Sequence, residues 1–179
     1  MIHKSQGLFI WLMATCIVLS PGASMFGEEK KEQSDNEKWT QEAWKAYNDN
    51  NFDSAIKEAS QCITEFRRTA DDTQKELKDK NEPLPPVGNV DDSKKRDEIF
   101  NRGPLNDVAT CYFIQGESYA KLAEGIEGAA KKEKLAKAKS AYEKAAKYTY
   151  ARTWDPKGWF WDPAKKANER LEDMEPVRP

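Results

Sequence analysis

The sequence predicts an all-α fold: two antiparallel helical hairpins, then an aromatic-rich turn and one capping helix. Three observations predict it. Apolar side chains recur at three- and four-residue steps in several long stretches. Clusters of Asn, Asp, Gly and Pro separate those stretches at 49–51, 81–96, 103–104 and 124–128. No stretch reads convincingly as a strand, because none alternates between apolar and polar positions for long enough.

The chain begins with an address. Residues 1–23 start with a short basic region at His3 and Lys4, continue through an apolar run over 8–19, and end on Ser20, Pro21, Gly22 and Ala23. This is the layout of a secretory signal peptide, so export to a periplasm or the outside is expected. The apolar run is shorter than the ~18 residues of a spanning helix, which favours a cleaved leader over an uncleaved anchor and leaves no membrane span after cleavage. Cys16 lies deep inside the run, where lipidation would not use it. Cleavage after Ala23, Ser24 or Gly27 satisfies the small-residue rule. Residues 24–38 (SMFGEEKKEQSDNEK) then read as a charged, solvated spacer.

The first hairpin spans 39–80. Trp39, Ala43, Ala46 and Tyr47 mark one amphipathic helix, and Asp49, Asn50 and Asn51 turn the chain. Phe52, Ala55, Ile56, Ala59, Cys62, Ile63 and Phe66 begin a second, unusually long helix that continues past Ala70 and Leu77. Pro83, Pro85 and Pro86 make 81–103 an exposed linker, with a short helix capped by Asp92 or Ser93 and ending near Phe100. The second hairpin spans 104–148. Pro104 opens a helix bearing Leu105, Val108, Ala109, Tyr112, Phe113, Gly116, Tyr119 and Leu122; Gly125 and Gly128 break it; a lysine- and alanine-rich helix follows from about Ala129 to Tyr148. In 149–179, Asp155-Pro156-Lys157-Gly158 signals a turn, and Asp162-Pro163 starts a last helix to about Asp173.

Composition restricts the chemistry. The chain has 179 residues, 38% hydrophobic and 34% charged, with a mean hydropathy of -0.91, which suits one polar soluble domain. Its 29 basic and 31 acidic side chains leave a net charge of -2, with no basic excess to attract nucleic acid. The one histidine, His3, leaves with the leader, and so does Cys16. A mature chain without imidazole has no serine or cysteine triad and no His-ligated zinc, and two cysteines are too few for a thiolate zinc site. There is neither a P-loop nor a dinucleotide fingerprint. No catalytic residue, metal or cofactor is expected, and only carboxylate chemistry stays open to an enzyme, with no pair nominated.

The hairpins resemble tetratricopeptide repeats, helix-turn-helix units of about 34 residues that bury small side chains where helices touch. In the first copy Trp39, Ala43, Phe52, Ala55, Ala59 and Cys62 fall at the family's motif positions. In the second Tyr112, Gly116, Tyr119, Ala138, Tyr142 and Ala145 do so, with roughly ten extra residues at the inter-helix turn. Any antiparallel hairpin packed on small residues has the same fold class. Two repeats fall short of the three or more that such arrays need, so the 148–175 segment is expected to cap the second hairpin with its tryptophans, Trp159 foremost.

The resemblance implies a scaffold or adaptor that binds a protein or peptide on a concave face. Carried over by position, that face holds Thr40, Trp44, Tyr47 and Asn48 from the first copy, and Thr110, Phe113, Glu117 and Lys121 from the second. Trp44, Phe113 and Glu117 stand where some members place a clamp for a peptide carboxylate, so no such clamp is expected. Burial of Trp44 and Phe113 under the long arm or the cap is the alternative. The other candidate is carbohydrate or cell-envelope binding by indole stacking on Trp154, Trp159 and Trp161, with Asp155 or Asp162 accepting hydroxyl protons. Turn and cap roles account for those aspartates equally well. Cys62 and Cys111 are either a disulfide in an oxidising compartment or buried free thiols.

Overall fold

The first helix, α1 (Asp35–Asn48), starts inside the expected spacer instead of at Trp39. Asp35 and Glu37 in its first turn suit the positive end of the helix dipole, and Asn36 is already buried. The structure, a computed structural model, describes residues 34–175. The expected leader, with His3 and Cys16, and residues 24–33 of the expected spacer lie outside the described residues.

Asn50 turns the chain with φ 58°, a left-handed conformation that asparagine tolerates. Asn51 caps α2 (Phe52–Asp79), its Oδ1 accepting from the Ser54 amide at 3.3 Å. Ala43, Ala55, Ala59 and Cys62 are fully buried, small side chains that let α1 and α2 approach closely. The extra length of α2 supports the chain's C-terminal third. Tyr148 donates its hydroxyl to Asp71 at 2.6 Å, and the Tyr150 amide donates to Gln74 Oε1 at 3.2 Å.

The proline-rich segment after α2 is more than an exposed linker. Gly88 pairs with Phe160 in both directions, at 2.8 and 3.0 Å, and Val90, Ile99 and Phe160 form a small second core. The Pro85 and Pro86 carbonyls accept from Arg152 Nε at 2.9 and 3.3 Å. Helix α3 (Ser93–Phe100) is capped by Asp92, and α4 (Gly103–Ala123) carries proline in its first turn, as expected. Apolar residues on almost every side of α4 are buried, which makes it the central helix, packed against α2 and α5 and, less extensively, α1 and α6. Gly116 is required where α4 meets α5 (Gly128–Ala145), since a Cβ there would lie 2.4 Å from the Tyr142 ring.

Two short strands correct the strand-free expectation. β1 (Thr153–Asp155) and β2 (Trp159–Trp161) pair antiparallel, with Trp154 opposite Phe160. Pro156, Lys157 and Gly158 make a three-residue hairpin loop whose last residue adopts φ 97°, the left-handed position such loops reserve for glycine. The turn was legible as a turn. The strands were not, because three residues are too few to display an alternation. Helix α6 (Pro163–Met174) follows, with the Asp162 carboxylate accepting from the Lys165 amide at 2.9 Å.

The ribbon also corrects the expected role of Trp159. Trp159 is 36% exposed, whereas Phe160 is 1% exposed and Trp161 turns inward against Trp44 and Phe113. Phe160→Ala should therefore cost about 3–5 kcal/mol in thermal unfolding, and Trp159→Ala less than about 1 kcal/mol. Equal losses at the two positions would contradict this packing.

Candidate functional site

The face that the repeat resemblance designates is formed by α1, α4 and the segment from β2 to α6. Its centre is aromatic. Trp44 meets Tyr47, Phe113 and Trp161 at ring-centroid distances of 5.7, 6.4 and 6.2 Å, and Tyr47 meets Phe52 at 5.6 Å. Most of these contacts are edge-on or tilted, the arrangement that ring quadrupoles favour. Trp44, Tyr47 and Trp161 are half-buried, so each keeps part of its ring in solvent.

Beside the aromatics lies an ionic group. Arg170 reaches Glu117 with two nitrogens, Nε at 2.6 Å and Nη2 at 3.2 Å, and the Tyr142 hydroxyl donates to the same carboxylate at 2.6 Å. The hydrogen bond to Glu117 holds the Arg170 pKa above the usual guanidinium range. Burial, reinforced by the Glu117 carboxylate, raises both the Tyr142 and Tyr47 hydroxyls, so both stay protonated and act as donors. Lys121 is exposed at the edge and pairs with Glu124 at 2.9 Å; Asn48 is exposed too.

Three residues placed on this face from sequence are in the interior. Thr40 is 6% exposed, Thr110 is fully buried and Phe113 is 7% exposed. Thr110 shares a 2.6 Å hydrogen bond with Thr153 of β1, and Trp161 packs on Phe113. The C-terminal segment thus occupies space that the hairpins alone would leave open. Trp161 joins the helical face instead of grouping with Trp154. The remaining outer aromatics, Trp154 and Trp159, are 41% and 36% exposed, with Trp154 lying against Phe100 and Phe160 at 5.6 and 4.9 Å. Asp155 Oδ1 accepts from the Lys157 amide, and Asp162 both caps α6 and pairs with Arg152 at 3.2 Å.

Behind the face, Thr40 anchors a buried polar cluster. Its hydroxyl donates to the Asn36 carbonyl at 2.8 Å and lies 3.3 Å from Cys111 Sγ and 3.7 Å from Cys62 Sγ. Both cysteines are free thiols in this structure. Asn36 Nδ2 donates to Asp107 Oδ2, tying the start of α1 to α4. Burial raises the Asp107 pKa to about 6, against the hydrogen bonds from Asn36 and Thr40, which lower it, and with a small push from Glu37. Sequence reasoning missed Asn36, Asp107 and Arg170: each acts through a partner distant in sequence, and no local pattern marks them.

Among the described residues, no group of three or more His, Cys, Asp and Glu side chains is arranged to hold a metal ion, and no helix is long and apolar enough to cross a membrane. Two open depressions, one beside Leu84, Asp162 and Asn168 and one beside Trp39, Ser60 and Gln61, are lined by none of the face residues. Comparisons with family models, with curated proteins and with solved structures return no match.

The Asp107 geometry has a pH signature. Its folded pKa is above the ordinary value of 3.8, so the carboxyl's contribution to stability is complete below that value and is lost as pH rises through about 6. Relative to Asp107→Asn, the wild-type chain should lose up to about 3 kcal/mol between roughly pH 4 and 7. Denaturant titrations across that range measure the difference, and a constant offset between the two proteins would refute the prediction.

Proposed function

We propose that this chain is an exported, tetratricopeptide-like adaptor that binds a protein or peptide through the face formed by α1, α4 and the C-terminal segment, without catalysing a reaction. The carrying observation is the half-buried line of Trp44, Tyr47 and Trp161, flanked by Asn48, Lys121 and Arg170. Aromatic anchors with a polar rim are what a protein-binding hot spot requires. The order of helix packing supports the repeat reading. α4 lies chiefly on α2 and secondarily on α1, and α6 lies chiefly on α5 and secondarily on α4. In an array of hairpins, that is the relation each new first helix has to the preceding pair, so α6 stands in the place of a third repeat and caps the second.

Affinity capture from the native cell envelope tests this reading. A defined protein band should be retained by the wild-type chain and lost, with affinity falling roughly 30-fold or more, on Trp44→Ala or Tyr47→Ala. Phe113 is unsuitable as a probe because its burial makes truncation a stability change. A band that survives both substitutions in folded variants would overturn the assignment of the face.

The exposed indoles of Trp154 and Trp159 favour a second reading, carbohydrate or cell-envelope binding at the ribbon. It predicts glycan retention abolished by Trp154→Ala and unaffected by Trp44→Ala. The reverse pattern on a glycan array would exclude it.

A further inference from the structure

The polar cluster around Thr40 contains two sulfurs that the binding face does not use. Cys62 belongs to α2 and Cys111 to α4, the two helices whose packing joins the hairpins, and the chain between them includes the whole proline-rich segment. Both side chains are fully buried. Both sulfurs lie within hydrogen-bond reach of one atom, Thr40 Oγ1. A threonine hydroxyl has one proton and two lone pairs. Whichever atom donates in each contact, this one oxygen, itself fixed to the Asn36 carbonyl, holds both thiols beside it.

We infer that Cys62 and Cys111 are a bridging pair that closes to a disulfide across the α2–α4 joint, with the Thr40 hydroxyl gathering the two thiols as the hairpins dock. In the reaction two S–H bonds break and one S–S bond forms. Two electrons and two protons pass to a disulfide oxidant, oxidised glutathione or an oxidoreductase disulfide, which leaves as two thiols by way of a mixed disulfide with one of the cysteines. Timing follows from burial. Desolvation, with Cys62 as the next contribution, pushes the Cys111 thiol well above its ordinary range, and both sulfurs are fully buried, out of reach of an oxidant in the folded chain. Closure therefore occurs while the chain folds or opens locally, and the finished bridge is shielded from reductants afterwards.

The test uses the chain with Cys16→Ser, so that Cys62 and Cys111 are the only thiols. The protein is unfolded, refolded with oxidised glutathione, denatured again with an alkylating agent and weighed intact, alongside a peptide map without reduction. The expected result is no alkylated cysteine, one linked pair of peptides containing Cys62 and Cys111, and a melting temperature higher than that of the reduced form by on the order of 10 °C, as closing a loop of ~50 residues implies. Native reduced protein should form the bridge far more slowly than refolding protein. Two alkylated thiols, or one glutathione on each cysteine, would overturn the inference. So would a linked pair that leaves the melting temperature unchanged or lowers it, because the folded geometry would then not accommodate the bond.

Discussion

The C-terminal third of this fold depends on one buried guanidinium. Arg152 is 3% exposed, and its nitrogens donate to the carbonyls of Pro85, Pro86 and Thr149 while its charge is balanced by Asp162. Proline supplies no backbone donor, so residues 83–86 cannot be fastened by an ordinary ladder, and the Pro85 and Pro86 carbonyls take their donor from elsewhere. Arginine, with five donors in a rigid fork, provides several at once. Burial of that charge is unfavourable in itself, and lowers the Arg152 pKa with a further push from Arg102; the Asp162 carboxylate works in the opposite direction. The Arg152 amide then donates to Asn106, whose own amide reaches the Ile99 carbonyl, so linker, α3, α4 and ribbon are fixed by one continuous set of hydrogen bonds.

The two helical hairpins and the C-terminal segment are held together by different means. The hairpins are held by small residues at close helix contacts, with Gly116 against the Tyr142 ring as the tightest case. The C-terminal segment is held by side-chain to backbone hydrogen bonds and by aromatic contacts, on a ribbon too short to be stable alone. The long arm of α2 belongs to this second system, since Asp71 and Gln74 receive Tyr148 and Tyr150 beyond the point where α1 ends.

How legible each part was in the sequence follows from the same division. Helical periodicity, the Asn51, Asp92 and Asp162 caps, and the first-turn prolines are local signals, and they placed every helix to within a few residues. The exceptions have causes distant in sequence: α1 extends back to Asp35 through a polar stretch because Asn36 finds Asp107, and α5 stops at Ala145 so that Tyr148 can turn toward α2. The candidate site was legible only in part. Trp44 and Tyr47 could be placed from repeat positions, but nothing local distinguishes Trp161, which turns in, from Trp159, which turns out. Strand alternation does not make that difference, because residues two apart share a face; it lies in what each ring meets, Trp161 packing on Trp44 and Phe113 while Trp159 stands beside the 156–158 loop.

Trp161 belongs at once to the interior and to the surface: it packs on Phe113 and on Trp44, which sits half in water. A molecule pressing on Trp44 is thus one side chain away from the ribbon, and through Asp162 from the guanidinium that holds the prolines. Occupancy and folding are then thermodynamically linked functions of the same few contacts: whatever engages this face reinforces the closure of the chain's end, and loosening of that end withdraws part of the face.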